Sequence, residues 1–469
     1  MPAPLDELLG ARPLDAPRVA LVEDPDEAFA LRLALVDAAQ RRIDAQYYIW
    51  EKDLAGRVLA QRLFAAADRG VKVRVLLDDV ELGPSDVPWL ALDIHPCIDV
   101  RVFNPFRARA HQGLRRVAEG LLAFRRLNHR MHNKSLTVDD AATLVGGRNI
   151  GNAYFGLDPK ANFFDLDVLA TGATAAAVRG SFEAFWDSPH ARPLHELARV
   201  RFTPLRLLER RRRIDRFAER ALSSLHRGPW DEAKARGQLA RLAARLAPAE
   251  VAVLTDHPDK LAGAPSPIAA GFAALCETAS RELLVESAYF VPGAEGVERL
   301  GALVSRGVRV RVATNSLAAT DVPLVHGGYA ASRRSLLRAG VALLEVRPTL
   351  PAGMRRLLRL HRPRAALHTK AAAFDRERAF VGSMNFDPRS ARINTEIGLR
   401  IDCVSFAAEV AAALDRTANP DRSWALCLDA RGRIAWRAGA EVLRREPRAG
   451  WARRLLAFVV RLLPVHNWL

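Results

Sequence analysis

Apolar positions in residues 56–79, GRVLAQRLFAAADRGVKVRVLLDD, first recur at helical spacing and then crowd into a β-branched run. Side chains three and four apart share a helix face, whereas a short apolar run bounded by glycine suits a buried strand. The segment predicts an amphipathic helix, a stop at Gly70 and a strand. Residues 297–317, VERLGALVSRGVRVRVATNSL, repeat this plan, with Arg69-Gly70-Val71 aligned on Arg306-Gly307-Val308 at an offset of 237. Upstream, IDAQYYIW (43–50) matches LLVESAYFV (283–291) in position, each with an aromatic pair towards its end. Downstream, HNKSLTVDDAATLVGGRNI (132–150) matches HTKAAAFDRERAFVGSMNF (368–386) at an offset of 236.

Self-similarity of this kind predicts two copies of one α/β domain. Each has a central sheet with helices on both faces, the copies being related by a pseudo-twofold axis. The first copy is assigned to residues 1–190 and the second to 263–430. Residues 191–262, rich in Ala, Leu and Arg and punctuated by Pro204, Pro229 and Pro248, predict a helical connector. Residues 431–469 form a basic and apolar tail. Within it WARRLLAFVVRLLPVHNWL (451–469) sets Arg453, Arg454 and Arg461 among apolar residues and predicts a helix lying on a membrane surface, too short and too charged to span it. The alternative is a terminal helix docked on the protein's own core. RFTPLRLLERRRRIDRF (201–217) is either a second contact for anionic headgroups or a solvated helix face.

A length of 469 residues with 49% apolar content suits two domains. The formal charge of +17 points to a negatively charged partner: nucleic acid, an anionic membrane or a phosphate-bearing substrate. Only seven lysines stand among the 70 basic residues, at 52, 72, 134, 160, 234, 260 and 370, so each merits inspection. Cys97, Cys276, Cys403 and Cys427 lack C-x-x-C spacing and nearby histidines, which predicts four reduced thiols in a cytosol-facing protein, without disulfides or zinc. The N-terminus lacks a basic segment followed by an apolar run, and no stretch offers about 18 uncharged apolar residues, so neither export nor a membrane span is expected.

The chemistry lies in the downstream block. His132-x-Lys134-x4-Asp139-x6-Gly146-Gly147-x-Asn149 recurs as His368-x-Lys370-x4-Asp375-x6-Gly382-Ser383-x-Asn385 with identical spacing. On a strand, residues two apart share a face, so each motif projects an imidazole beside an ammonium. That suits a phosphodiester. The histidine attacks phosphorus, the lysine neutralises non-bridging oxygens, the glycine pair lets backbone approach, and the asparagine donates to the phosphate. With both motifs at one cleft, one histidine is the nucleophile and the other a general acid and then base, which makes the reaction ping-pong and requires no metal. Residue chemistry leaves open which is which. Asp165 in NFFDLDV and Glu396 in NTEIGLR, each about thirty residues past its own histidine, are the candidates to orient the imidazoles, with Asp167 competing for the first role. The bland alternative pairs these acids with surface arginines. His129 and His326 lie near motif-bearing segments; His95, His190, His195 and His257 read as surface or turn residues.

The doubled H-x-K-x4-D motif resembles the signature of the phospholipase D superfamily. QYYIW (46–50), NHRMHNKSLTVD (128–139), LVGGRNIGNAYF (144–155), TNSLAATDV (314–322) and VGSMNFDPRSARINTEIG (381–398) are similar to the bacterial cardiolipin synthases of the C type, nearly throughout the chain. The resemblance implies two phospholipase D-like α/β/α sandwich domains sharing one site, no cofactor, and a covalent phosphohistidine. It implies transfer of a phosphatidyl group from phosphatidylethanolamine to phosphatidylglycerol, giving cardiolipin. Peripheral attachment to the cytoplasmic face of the inner membrane is expected, and a helper protein stands as a candidate partner that the sequence does not decide. Carried over by motif, His132, Lys134, Asp139, Asn149, His368, Lys370, Asp375, Asn385 and Glu396 form the site, although Asp139 and Asp375, on the opposite strand face from their lysines, suit a structural role. The short N-terminus and the basic stretch RRLLRLHRPRAALH (355–368) depart from the family pattern. The alternatives are hydrolysis to phosphatidic acid, a nuclease with steep salt dependence, and a noncatalytic membrane scaffold, which would not need both His-Lys pairs.

Overall fold

The computed structural model describes residues 5–10, 14–80, 87–106, 123–197, 204–225, 231–348 and 364–462. The first repeat contributes β1 (Arg18–Val22), β2 (Arg42–Tyr47), β3 (Lys72–Asp78), β4 (Ile98–Phe103), β5 (Ser135–Val138), β6 (Ala142–Gly146), β7 (Ala161–Phe164) and β8 (Asp167–Thr171); β9 (Ala191–Pro193) and β10 (Ala247–Pro248) follow. The second half contributes β11 (Glu250–Thr255), β12 (Glu282–Ser287), β13 (Arg309–Asn315), β14 (Ala342–Val346), β15 (Arg364–Leu367), β16 (Lys370–Phe374), β17 (Arg378–Gly382), β18 (Ile397–Asp402), β19 (Ser423–Leu428), β20 (Ile434–Ala438) and β21 (Glu441–Leu443).

The strand orders are β10-β1-β8-β6-β5-β2-β3-β4-β9 and β11-β18-β17-β16-β12-β13-β14-β19-β20-β21. Seven consecutive strands, β1-β8-β6-β5-β2-β3-β4, thus correspond in order to β11-β18-β17-β16-β12-β13-β14, which is the predicted duplication. In each sheet three strands are parallel, β2-β3-β4 and β12-β13-β14. Parallel neighbours require a crossover. The helix Leu54–Asp68 supplies it between β2 and β3; Asp53 caps its start by accepting from Gly56 N, and Gly70 ends it at φ 90°. Helix Gly293–Ser305 and Gly307, at φ 88°, do the same in the second repeat. A left-handed residue there is cheap only for glycine, which is why the Arg-Gly-Val signal marks both helix ends.

Alternation along the strands decides what packs where. Ala20 and Val22 face a core with helix Pro25–Ala38, while Val19 and Leu21 face the other way. The second face joins Val168 and Ala170 to Ala371, Ala373, Val381, Leu399 and the helix Val404–Thr417 in one buried cluster. The repeats therefore share a continuous apolar seam, and the site lies where their strand ends meet.

The connector expected over 191–262 is not wholly helical. Helices Pro204–Leu225 and Glu232–Ala243 lie on the first repeat, but β9 and β10 border its sheet and β11 borders the second. EVAVLT (250–255) carries strand alternation that the Ala/Leu/Arg-rich surroundings obscure. Residues 431–469 also begin as sheet, through β20 and β21. The helix Trp451–Leu462 then docks beside helix Pro323–Arg338, with Ala457 buried against Leu317 and Ala318. Trp451, Leu455 and Leu456 remain exposed. Residues 463–469, with Trp468, lie outside the described residues, as do residues 201–203 and 355–363 of the two basic stretches.

Candidate active site

Two short parallel pairings between the repeats set the candidate catalytic side chains. β15 runs beside β7 with Leu367 opposite Phe164, so the next residues, His368 and Asp165, emerge together. His368 N donates to Phe164 O at 2.7 Å. The second pairing is a single bridge, Met131 opposite Thr395, after which His132 and Glu396 emerge together. Here His132 N donates to Thr395 O and Thr395 N to Arg130 O, both at 2.9 Å. The last residues of β3 and β13 brace these approaches. The Asp78 carboxylate accepts from Met131 N at 2.9 Å; the Asn315 carboxamide accepts from Leu367 N and donates to Leu367 O, at 2.8 and 2.7 Å. Motif reading missed this pair, although the repeat offset of 237 aligns the two positions.

The resulting dyads are crossed. His132 Nδ1 lies 2.8 and 3.0 Å from the Glu396 carboxylate oxygens, and His368 Nδ1 lies 2.6 Å from Asp165 Oδ2. Each carboxylate, about thirty residues past its own repeat's histidine, serves the histidine of the other repeat. Asp167 is excluded from that role by its own partners, Arg32 at 2.9 Å and Arg148 at 3.2 Å. When Nδ1–H donates to a carboxylate, the lone pair resides on Nε2, which is the nitrogen left for phosphorus.

Lys134 and Lys370 are buried, and each ammonium donates to the carbonyl of its own motif's histidine. Lys134 also stands 5.4 Å from the Tyr48 ring centre. Each His-x-Lys pair occupies the N-terminal lip of its strand rather than its interior, since β5 begins at Ser135 and β16 at Lys370. Burial lowers both lysines, Lys134 well below its usual range and Lys370 to about 8. Both lysines act on the His132 imidazole, so the two desolvated ammonium groups stand close enough together to favour an anion between them.

The two imidazoles differ. Burial, reinforced by Lys134 and Lys370, pushes His132 well below the ordinary histidine range. Its partner Glu396 is pushed up by burial, against the pull of Lys134 and Ser383. His368 is also lowered by burial and Lys370, but the Asp165 charge works the other way. Burial acts against that charge, yet His368, Lys370 and Arg148 outweigh it and hold Asp165 below the usual carboxylate range. The second dyad is therefore the better support for an imidazolium.

The remaining motif residues shape this frame. A Cβ on Gly147 would lie 2.3 Å from Asp165 Oδ1, and one on Gly146 would lie 2.1 Å from Asp167 Oδ1. The glycine pair thus makes room for the carboxylate segment, not for approach to phosphate. In the second repeat Ser383 replaces Gly147 and donates its hydroxyl to Glu396 Oε2 at 2.5 Å. Asn149 is taken up within the protein, accepting from Ile49 N at 3.1 Å and donating to Tyr154 Oη at 2.9 Å. Asn385 is buried, and its Oδ1 has no partner among the described residues.

Asp139 and Asp375, grouped with the catalytic motif by spacing, sit at the far ends of β5 and β16. Asp139 accepts from the backbone N of Gln40, Arg41 and Arg42, each at 2.8 Å, and Asp375 from those of Ser280, Arg281 and Glu282. Both staple the start of the neighbouring strand, β2 or β12. This structural role corrects their placement among the catalytic residues.

Tyr48 lies edge-on to His132 at 5.0 Å, and Tyr154 and Phe163 flank His368 at 5.1 and 5.3 Å. His129 Nδ1 contacts Ile393 O across the repeats at 2.9 Å. His326 is instead part of a buried cluster in which Arg333 pairs with Glu345 and Glu446 at 2.7 and 2.5 Å. Their ligand atoms lie within 4.8 Å of one another, a spacing a metal could use, but the guanidinium already supplies the positive charge. His95 and His195 make local contacts to Asp68 and Asp93, and His257 caps residues Pro258–Ala262. Lys260, the third buried lysine, pairs with Asp256 at 2.7 Å, and Asp256 in turn accepts from Glu396 N.

Fold and doubled motif together define a two-repeat member of the phospholipase D superfamily. The chain belongs to the family described as "Cardiolipin synthase, PLD-like domain", whose model matches residues 33–186 and 273–418. It is 38% identical to cardiolipin synthase C of Escherichia coli (strain K12), over 94% of each chain. It is 24% identical to the major cardiolipin synthase of Bacillus subtilis (strain 168), over 83% of this chain and 66% of that one. In fold it is similar to the phosphatidylserine synthase of Haemophilus influenzae Rd KW20, with a TM-score of 0.58, 15% identity, and 90% and 91% of the chains covered.

Proposed function

We propose that the protein is a phosphatidyltransferase of the cardiolipin synthase type, joining the phosphatidyl group of one phospholipid to the headgroup hydroxyl of another. The observation that carries this reading is the pair of crossed histidine–carboxylate dyads with two buried lysines between them. His132, held neutral, attacks phosphorus through Nε2. The bond from phosphorus to the leaving headgroup oxygen breaks as His368 Nε2–H gives that oxygen its proton. His368 is then neutral and takes the proton of the incoming hydroxyl, whose oxygen bonds to phosphorus while the phosphorus–nitrogen bond breaks. Lys134 and Lys370 stabilise the non-bridging oxygens, which carry most charge in the transition states.

The donor is phosphatidylethanolamine and the acceptor phosphatidylglycerol, in keeping with the cardiolipin synthase relatives. Water attacks the same intermediate, so exclusion of water sets the ratio of cardiolipin to phosphatidic acid. Among the described residues no helix is long and apolar enough to cross a membrane. Attachment is peripheral, on the cytoplasmic face of the inner membrane, through the helix Trp451–Leu462. Trp451 is 78% and Leu455 55% exposed one turn apart on that helix, with Arg454 exposed beside them, as suits an anionic interface.

Lipids from a strain lacking its own cardiolipin synthases test this directly, by mass spectrometry with wild type, His132→Ala and His368→Ala. Cardiolipin formed only by wild type supports the reading. Phosphatidic acid in its place makes the enzyme a hydrolase, and unchanged lipids reject a lipid substrate.

A further inference from the structure

The two repeats differ sharply at one place beside the site. In the first, the segment after Asn149 fills the space behind it. Tyr154 Oη accepts from Asn149 Nδ2 at 2.9 Å, and the buried Phe155 ring meets Phe29 at 5.0 Å and the Arg32 guanidinium at 5.1 Å. The same positions in the second repeat follow from two registers. Asn149 and Asn385 are 236 apart, which maps Tyr154 and Phe155 onto Ser390 and Ala391. The strand starts stapled by Asp139 and Asp375 are 240 apart, which maps Phe29 onto Ala269. Three aromatic rings are thus replaced by one serine and two alanines.

What remains is a pocket of about 410 Å³ between helix Pro267–Glu277, helix Gly293–Ser305 and the segment after β17, with Ala269 and Ala391 in its wall. Its walls include Phe272, Ala273, Phe290, Leu300 and Met384, while Glu277, Glu295, Arg299 and Arg392 stand exposed at its rim, Arg299 paired with Glu295 at 2.8 Å. Its polar wall includes Asp387 and Asn385, the buried carboxamide whose oxygen lacks a partner among the described residues. Asn385 lies two residues beyond Ser383, the hydroxyl donor to Glu396, so this wall adjoins the catalytic dyad. Protein interiors are close-packed, and a largely apolar space of this size beside an active site is suited to an apolar ligand.

We propose that this pocket of the second repeat seats one hydrocarbon chain of a phospholipid whose phosphate lies between the two histidines. The inference rests on the phosphatidyltransferase reading and adds to it a seat for one tail in the second repeat; a space of about 390 Å³ against helix Leu54–Asp68 of the first, lined by Trp50, Gly56 and Ala60, is walled instead by Trp89, Ile214 and Phe217. The apolar walls take the methylenes.

The test uses the full chain and phosphatidylglycerol vesicles in which one acyl chain carries a diazirine. After irradiation, label is expected on peptides covering residues 267–277 and 293–305. Ala273→Phe, and independently Leu300→Trp, should lower it roughly tenfold by occupying the space in which the methylenes would be buried. Label elsewhere, or label in the pocket unaffected by both variants while their circular dichroism matches wild type, overturns the proposal. Labelling needs no turnover. Pocket label on a chain that makes no cardiolipin supports the pocket and counts against the transferase reading alone; cardiolipin synthesis with no pocket label does the reverse.

Discussion

Four residues from opposite halves of the chain pair two similar imidazoles with two carboxylates, His132 with Glu396 and His368 with Asp165, and the proposed reaction divides its roles between them. Because Asp165 holds its charge and Glu396 is pushed towards neutrality, removing each charge should act differently. Asp165→Asn should lower kcat by about a hundredfold and shift the alkaline limb of the pH–rate profile downwards, by weakening the imidazolium on His368. Glu396→Gln should mainly disorder the His132 ring, lowering kcat with little change in that limb. Equal profiles for the two variants would count against the division of roles. Lys370 supplies a second titration. Its ammonium, at about 8, is charged below that value and neutral above it. Competitive inhibition by inorganic phosphate should therefore hold near pH 7 and weaken by about tenfold per unit above pH 8; a flat Ki through pH 9 would place the charge elsewhere. The His-Lys pairs were legible from spacing alone. The crossing of the dyads was not, because an acid about thirty residues away gives no sign of which repeat its strand will face.

At the level of elements, the parallel pairings β7–β15 and Met131–Thr395 deliver each histidine to its partner, and the glycine pair keeps the path open. Gly147→Ala would press a methyl into the Asp165 carboxylate and should cost about a hundredfold in kcat, since small misplacements of a positioned group have that effect. Gly180→Ala, at a position with nothing within 4 Å, is the control. The motif aspartates act on folding instead. Asp375 is held at about 2, below an ordinary 3.8, by backbone N–H donors that outweigh the opposing effect of burial. A depressed folded pKa gives stability that is present above pH 4 and is lost as pH falls towards 2. Asp375→Ala should destabilise the protein by about 2 kcal/mol by orphaning those donors, with activity per folded molecule retained. Thermal melts with active-site titration check both halves of that statement. Helix Leu54–Asp68 and β3 could be read from periodicity and Gly70. β7 and β15 could not: four-residue strands that pair only across the repeats carry no local signal of their partner.

For the whole molecule, duplication was the most legible feature, because identical spacing at 236 residues survives where local propensity is ambiguous. The ends of the connector were less so, since β10 and β11 leave one sheet and enter the other within a few residues. The C-terminal helix is docked on one face, as the second of its sequence readings has it, and leaves Trp451, Leu455 and Leu456 exposed, the face on which the proposed membrane contact rests. Arg453 bonds the carbonyls of Leu317, Ala318 and Thr320, which ties the helix to the loop after β13. Leu455→Glu should reduce binding to anionic vesicles about tenfold while leaving the melting temperature within a few degrees, because that side chain is exposed. Sedimentation with vesicles measures it, and unchanged binding would move the membrane contact to another surface.

The most direct measurement of the central claim is to trap the covalent intermediate. The enzyme is mixed with phosphatidylethanolamine without acceptor, quenched in alkaline denaturant and digested for peptide mass spectrometry. The account predicts a phosphatidyl adduct on the His132 peptide, lost in His132→Ala and discharged to cardiolipin when phosphatidylglycerol is added before the quench. An adduct on His368 with His132 unmodified, or turnover to cardiolipin with neither histidine ever labelled, would contradict it.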